Sequence, residues 1–193
     1  MASPVRKHAT YADLLEVGED KIAEIVDGDL YASPRPAIPH GVCMTSLTAE
    51  LAGPFQFGRG GPGGWWILVE PELHLAADVL VPDLAGWRRE RLQKPPNAPA
   101  IDLAPDWVCE ILSPSTERLD RARKLPAYAR HGVGHAWLIN PTARTVEVLR
   151  RDGERWVLSA TFADDARVRA EPFEAIELDL LSLWGETRSS SPS

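Results

Sequence analysis

The segment Trp107-Val-Cys-Glu-Ile-Leu112 is a nearly continuous apolar run that contains a single carboxylate. A run of this kind is typical of a strand that is covered on both faces of a sheet. Because burying an unpaired carboxylate costs several kcal/mol, Glu110 should be protonated, lie beside a cation or bind a metal. The segment therefore predicts a central strand and, on it, a position that needs a partner charge.

The chain that follows this strand predicts one helix and three more strands. Ser113-Pro-Ser-Thr116 ends the strand, and Thr116 can cap a helix that runs to about His131, with Gly132 at its C-terminal end. The strands expected beyond the helix are His135 to Ile139, Thr145 to Leu149 and Arg155 to Thr161. Strands and a helix in this order indicate a helix packed on a sheet.

The chain that precedes this strand predicts a hairpin, two helices and two long strands. Asp27-Gly28 between extended apolar stretches is a strong hairpin signal, which places Glu24 on a strand. The other expected elements are a short helix capped by Thr10 with Asp13 in its first turn, a helix from about His40 to Phe55, adjacent strands at Trp65 to Leu75 and Val79 to Trp87, and a loop from Glu90 to Pro105.

This order of elements predicts an α/β (α+β) fold, with a mixed central β-sheet flanked by helices and an N-terminal β-hairpin. The length of 193 residues favours a single domain, which we expect over residues 1–186. Residues 187–193 offer no apolar side chain to a core and are expected to form a disordered tail.

The composition bounds the location of the protein and the state of its thiols. No apolar run approaches the roughly 18 residues that span a bilayer, and the first residues lack the apolar stretch of a secretory signal. We therefore expect a cytoplasmic protein with no membrane partner. Cys43 and Cys109 lie in apolar stretches without metal-ligand spacing, which favours buried thiols over a disulfide or a zinc site.

The net charge of -7 argues against a nucleic-acid partner, since proteins that bind phosphates usually carry a basic surface. The charge is uneven along the chain, however. Residues 86–131 hold nine Lys/Arg against six Asp/Glu, a local balance of +3 (9 − 6). This basic region weakens the objection to a nucleic-acid partner without removing it.

Asp83 is a second acid in a strand-like stretch, and it directly follows a proline suited to a bulge or a sheet edge. Two acids on neighbouring strands, Asp83 and Glu110, can converge on one hard cation. Carboxylate oxygens with retained waters suit Mg²⁺. The pair is therefore a candidate metal site.

An ordered set of short motifs carries a resemblance over roughly Tyr11 to Arg150. The set comprises Tyr11-Ala-Asp-Leu-Leu, Glu24-Ile-Val-Asp-Gly-Asp-Leu, Ser33-Pro-Arg-Pro followed by His40, Val81-Pro-Asp-Leu, Pro105-Asp-Trp-Val-Cys-Glu-Ile-Leu-Ser-Pro-Ser-Thr, Asp120 with Lys124, Tyr128-Ala-Arg-His-Gly-Val and Ala136-Trp-Leu-Ile-Asn-Pro. Together they resemble the Uma-type restriction endonuclease family, formerly domain of unknown function 820, within the PD-(D/E)XK nuclease superfamily.

The resemblance implies a restriction-endonuclease-like core, with the acids of the superfamily falling on Asp83 and Glu110. The superfamily lysine should lie two residues after the glutamate, but that position is Leu112. Lys124 is the nearest candidate, and a helix beginning at Thr116 would place Asp120, Lys124 and Tyr128 on one stripe. The family pattern thus implies that the lysine has moved to this helix.

The expected activity is that of a metal-dependent endonuclease that hydrolyses phosphodiesters in DNA. Asp83 and Glu110 would hold Mg²⁺ or Mn²⁺, with Glu24 as a third metal-binding carboxylate. Lys124 would orient the attacking water or stabilise developing charge, and His40 would contact phosphate or shuttle a proton. A homodimer is expected because cutting both strands of a duplex calls for two active sites.

Each of these residues also has a purely structural interpretation. The alternatives are a backbone cap for Asp83, an ion pair with Arg121 or Lys124 for Glu110, a solvated charge for Lys124, a pair across the hairpin for Glu24, a helix-start role for His40 and a helix N-terminal charge for Asp120. The tryptophans fit core packing better than base stacking. The corresponding alternative function is a catalytically silent nucleic-acid-binding or scaffold protein that keeps the fold.

Overall fold

The computed structural model describes residues 8–188 and contains two main sheets. The larger sheet has, in spatial order, β11 (Arg155–Ala163), β10 (Thr145–Asp152), β9 (His135–Asn140), β8 (Trp107–Ile111), β6 (Leu84–Arg88) and β3 (Trp65–Val69). The second has β2 (Asp29–Pro34), β1 (Lys21–Val26), β5 (Asp78–Leu80), β4 (Glu72–Leu75) and β7 (Ala100–Ile101). A small pair is formed by β12 (Arg167–Val168) and β13 (Leu178–Asp179).

The helices are α1 (Tyr11–Leu15), α2 (Ile38–Leu51), α3 (Glu117–Leu119), α4 (Leu125–Arg130) and α5 (Leu180–Leu183). A π-helical turn, Ala52–Gln56, extends α2, and another, Asp120–Lys124, joins α3 to α4 into one helical stretch over residues 117–130. The sequence predicts this stretch correctly, as well as the mixed sheet, the flanking helices and the N-terminal hairpin.

Strand β8 lies in the middle of the larger sheet, and all five of its residues are buried, as its apolar run predicts. It pairs parallel with β9, whereas the other pairs in this sheet are antiparallel. A parallel pair needs a crossover connection, and residues 117–130 supply it as a helix. This crossover helix therefore packs over a strand that carries Glu110.

The two faces of β8 belong to two separate hydrophobic clusters. Trp107, Cys109 and Ile111 pack in one cluster with α2 and Phe173, and Val108 and Leu112 pack in the other with residues of α4. Since side chains alternate along a strand, Glu110 shares its face with Val108 and Leu112. Four tryptophans are buried in these clusters, which confirms their predicted core role: Trp65, Trp87, Trp107 and Trp137.

Local signals predict the N-terminal elements correctly. Thr10 and Asp13 form a reciprocal capping box at the start of α1. Asp27 and Gly28 both have positive φ, 53° and 77°, the backbone that a two-residue hairpin turn requires. Strands β1 and β2 accordingly pair antiparallel from Val26 opposite Asp29 outward.

The two long strands predicted for residues 65–75 and 79–87 are wrong in one respect, because each is broken. The first breaks at Glu70, which has a φ of 46°, and the second at Val81–Asp83, where Pro82 has no N–H for a ladder. The halves stay neighbours, since β3 pairs with β6 and β4 with β5. The hairpin thus passes from one sheet to the other, and Asp83 lies at the crossing.

Three further predictions concern the loop after β6, the C-terminal tail and the number of domains. The predicted loop at Glu90 to Pro105 contains one short strand, β7, which the sequence pattern did not predict. Of the tail expected to be disordered, residues 189–193 lie outside the described residues; Arg188 is described, and its Nε donates a hydrogen bond to Asp179 Oδ2 over 2.7 Å. The single domain over residues 1–186 stays a prediction.

Within residues 8–188, no helix is long and apolar enough to cross a membrane. The cytoplasmic location stays a prediction.

Gly86, in β6, is enclosed by aromatic side chains. A methyl group there would lie 3.2 Å from Trp107 Cε3 and 3.3 Å from Trp65 Cε3. We expect Gly86→Ala to lower the free energy of unfolding by about 1–3 kcal/mol through overpacking. At Gly41, inside α2, such a methyl group would have nothing within 4 Å. Gly41→Ala should therefore raise the free energy of unfolding by about 0.5–1 kcal/mol. Urea unfolding of both variants checks this, and equal effects would contradict it.

Candidate active site

A cavity of about 310 Å³ collects all five predicted site residues. β1 contributes Glu24, α2 contributes His40, the break between β5 and β6 contributes Asp83, β8 contributes Glu110 and the crossover helix contributes Lys124. Asp120, from the same helix, also lines the cavity. Residues separated by up to 100 positions in sequence therefore meet at one place.

Lys124 forms the centre of the site, and its side chain is only 4% exposed. Its ammonium lies 2.9 Å from Glu24 Oε1, 3.0 Å from Glu110 Oε1 and 3.0 Å from the carbonyl oxygen of Val81. Burial by itself lowers the pKa of Lys124, but the nearby carboxylates outweigh burial and hold the pKa well above its ordinary value. The side chain is therefore a permanent cation, not the solvated charge of the structural alternative.

Glu110 is held by two residues of the crossover helix. Tyr128 donates its hydroxyl to Oε1 over 2.6 Å, and Lys124 lies 3.1 Å from Oε2. Burial raises the pKa of Glu110 well above its ordinary value, and the charge of Lys124 opposes that rise. Burial also raises the pKa of Tyr128, so its hydroxyl remains a donor. Of the two cations considered for Glu110, Lys124 is the partner.

Arg121 is the cation that does not pair with Glu110. It turns to the other side of the helix, where its guanidinium contacts Glu117 over 2.9 Å and Glu147 over 2.7 Å. The contact with Glu147 ties the helix to β10.

Glu24 is buried and does not pair across the hairpin. Its Oε1 accepts from the backbone N–H of Val81 over 2.7 Å and from Lys124. Because Ile22 and Glu24 are two residues apart on β1, both side chains point into the cavity. The carboxylate therefore joins the first hairpin to the segment that carries Asp83.

Asp83 and His40 form the most accessible pair in the site, with side chains 13% and 10% exposed. His40 Nε2 lies 2.8 Å from Asp83 Oδ1, and the N–H of Ile111 donates to Oδ2 over 2.6 Å. Burial lowers the pKa of His40, but the hydrogen bond and charge of Asp83 outweigh it, so the pKa is raised. Asp83 thus caps a backbone amide, as the structural alternative proposed, while facing the cavity.

Asp120 lies in the first turns of the crossover helix, as its interpretation as a helix N-terminal charge expected, but it is also buried. The residue is 3% exposed, and its Oδ1 lies 3.8 Å from Lys124 Nζ. Burial raises its pKa to about 6, against the opposing charge of Lys124 and a hydrogen bond with Thr116. The i, i+4 spacing of Asp120, Lys124 and Tyr128 predicted that the three share one face of the helix. The sequence did not show that this face is buried.

The oxygen atoms in the cavity suit a hard cation, since four carboxylates line it. Within residues 8–188, however, no three or more His, Cys, Asp or Glu side chains are arranged to hold a metal ion. Lys124 lies between Glu24 and Glu110, and both oxygens of Asp83 have partners. The donor chemistry fits Mg²⁺ or Mn²⁺, while the present hydrogen bonds compete for the same oxygens.

Both cysteines are free and buried, as predicted. Burial raises the pKa of Cys43 to about 12 and that of Cys109 well above its ordinary value. Neither thiol therefore contributes a thiolate at neutral pH.

Comparison with known proteins supports the fold. The model of the Uma2 family, described as "Putative restriction endonuclease", matches residues 9–181. A crystal structure described as a putative nuclease belonging to DUF820, from Anabaena variabilis, superposes with a TM-score of 0.73 at 22% identity, over 92% of this chain and 98% of that one. No curated protein matches the chain. The fold expected from the motifs is therefore confirmed.

Removing the central cation should destabilise the protein. Lys124→Met leaves Glu24 and Glu110 buried without their counter-charge, and we expect a loss of about 3–5 kcal/mol in the free energy of unfolding at pH 7. The loss should be smaller at pH 5, because the raised pKa of Glu110 favours its neutral form. Urea unfolding at both pH values measures this. Arg123→Met, an exposed cation of the same helix, should change stability by less than about 0.5 kcal/mol.

The ionised side chain of Asp120 should lower the free energy of unfolding at neutral pH. Its folded pKa of about 6 exceeds the ordinary 3.8, so the folded state binds the proton more tightly, and stability falls as the pH rises from about 4 through 6. Asp120→Asn cannot ionise. We expect the variant to match wild type near pH 4 and to exceed it by roughly 2–3 kcal/mol at pH 7. Parallel stability curves across this range would contradict the prediction.

Proposed function

The chain belongs to the Uma2 family of restriction endonuclease-like proteins, and from that premise we propose that it is a metal-dependent endonuclease that hydrolyses phosphodiesters in DNA. The observation that carries the proposal is the buried Lys124 ammonium shared by Glu24 and Glu110, in the same cavity as Asp83. A cation and three acids at one place are the components that such a hydrolase needs.

Asp83 and Glu110 would hold Mg²⁺ or Mn²⁺, with Glu24 as a third oxygen ligand. Bound there, the metal would polarise the scissile phosphate and lower the pKa of a bound water. The three acids meet the preference of these cations for oxygen. A metal ion would reach the site at Asp83, because its carboxylate is the most exposed of the three.

The remaining residues of the site would act by position and charge. Lys124 stays protonated, so it would stabilise negative charge that develops on the phosphate and would not act as a base. Tyr128 fixes one oxygen of Glu110. His40, hydrogen-bonded to Asp83 and next to the cavity, would contact a phosphate oxygen or shuttle a proton.

Two observations favour the second candidate, a catalytically silent nucleic-acid-binding or scaffold protein. The net charge of -7 disfavours an extended interface with nucleic-acid phosphates. Lys124 is engaged by carboxylates and a carbonyl oxygen, so the cavity already has a balanced internal cation. A silent protein would leave DNA intact and would be indifferent to Mg²⁺. The expected homodimer accompanies only the nuclease hypothesis, because it follows from cutting both strands.

The test is cleavage of plasmid and single-stranded DNA by purified protein at low salt, with Mg²⁺, Mn²⁺ or EDTA. We expect metal-dependent nicking that falls by about 100-fold or more in Asp83→Asn and in Lys124→Ala. Asp102→Asn, an exposed acid, is the matched control and should cut like wild type.

Metal binding gives a second, independent measurement. Titration with Mn²⁺, followed by electron paramagnetic resonance, should show saturable binding that Asp83→Asn weakens and Asp102→Asn does not. Absence of cutting on every substrate, together with unsaturable Mn²⁺ binding, would move the assignment to the silent scaffold.

A further inference from the structure

Most ionisable groups of the cavity are already committed to partners. An ammonium has three protons, and those of Lys124 face three acceptors: Glu24, Glu110 and the carbonyl oxygen of Val81. Since its pKa is also raised, Lys124 does not accept a proton at neutral pH. If the site hydrolyses a phosphodiester, the proton of the attacking water must go elsewhere.

Three of the carboxylates are poorly suited to receive that proton. Glu24 accepts from Val81 N–H and Lys124, and Glu110 accepts from Tyr128 and Lys124. Asp83 accepts from His40 and from the N–H of Ile111. Each accepts two hydrogen bonds, and each would also share its oxygens with the proposed metal ion. The same three are the proposed metal ligands.

Asp120 differs from these three. It lines the same cavity, yet its nearest cation, Lys124, is 3.8 Å away, beyond hydrogen-bond range, and its hydrogen bond is with the hydroxyl of Thr116. It is 3% exposed and faces the cavity from the first turns of the crossover helix. Of the four acids, it is therefore the one that is not a proposed metal ligand and has no hydrogen bond with Lys124.

The electrostatic surroundings of Asp120 support this role. The charged groups that act on it are Lys124 from its own helix, Glu24 from β1 and Asp83 from the β5–β6 break, and it in turn acts on Glu110 of β8 and His40 of α2. Burial raises its pKa to about 6. A carboxylate with this pKa is mostly ionised at pH 7 but is a stronger base than an exposed aspartate.

We propose that Asp120 is the general base that takes the proton from the water attacking the phosphodiester. This inference rests on the proposed nuclease function. In the step, the O–H bond of water breaks as the proton moves to an Asp120 oxygen, and the water oxygen forms a bond to phosphorus. The bond from phosphorus to the leaving sugar oxygen breaks, and that oxygen takes a proton from solvent. Asp120 then releases its proton to solvent, so that nothing is oxidised or reduced.

The decisive experiment is the pH dependence of single-turnover DNA cleavage between pH 5 and 9 for wild type, Asp120→Asn and Asp120→Glu. Wild type should lose activity below about pH 6, where Asp120 becomes protonated. Asp120→Asn should cut about 100-fold more slowly or worse and should lose this acidic limb. Asp120→Glu should recover part of the rate and keep an acidic limb. Asp102→Asn again serves as the control.

A purely structural role for Asp120 is tested in the same preparations. Fluorescence anisotropy with labelled DNA and Mn²⁺ titration should give affinities within about twofold of wild type for Asp120→Asn, and thermal denaturation should show a folded variant. An acidic limb that persists in Asp120→Asn, or a rate loss matched by an equal loss of DNA or Mn²⁺ affinity, would overturn the proposal. Inactive wild type would overturn the nuclease function itself, whereas active wild type with an unaltered Asp120→Asn profile would overturn only the role of Asp120.

Discussion

The buried ammonium of Lys124 is the constraint on which the rest of the structure depends. A cation with 4% of its side chain exposed must have acceptors for its protons, or its burial is prohibitively costly. The acceptors come from three separate parts of the chain: Glu24 on the first hairpin, the carbonyl of Val81 at the sheet crossing and Glu110 on the central strand. These three parts therefore have to meet around the crossover helix. The contacts that make the burial of Lys124 possible are the same contacts that assemble the site.

The crossover helix brings a lysine to Glu110, although the position two residues after this glutamate is Leu112. Leu112, where the superfamily lysine is expected, lies on the same face of the sheet as Glu110 and is 4% exposed in the core beneath the helix. Lys124 approaches that face from above and reaches the same carboxylate. The cation that reaches Glu110 thus comes from a different element of the chain. Tyr128, one turn further along, holds the second oxygen of that glutamate.

The cavity is lined by more acidic side chains than lysine and arginine side chains. Four acids line the cavity with Lys124, and burial raises the pKa of both Glu110 and Asp120. An excess of buried acid is unfavourable for folding, yet it suits the binding of a hard cation and the acceptance of a proton. Such an arrangement is easier to understand in a hydrolase than in a scaffold, and it agrees with the family to which the chain belongs.

The sequence by itself determined the elements whose signals are local: the apolar run of β8, the capping box of Thr10, the Asp27-Gly28 turn and the crossover helix. Ordered motifs also pointed to five of the residues that line the cavity. Only the tertiary structure decided that Asp120 is buried, that Lys124 and not Arg121 pairs with Glu110, and that the strands break where the chain changes sheets. These outcomes depend on contacts such as Lys124 with Val81 and Val81 with Glu24, which span 43 and 57 residues. Local periodicity shows which residues share a face, but only packing decides what covers that face.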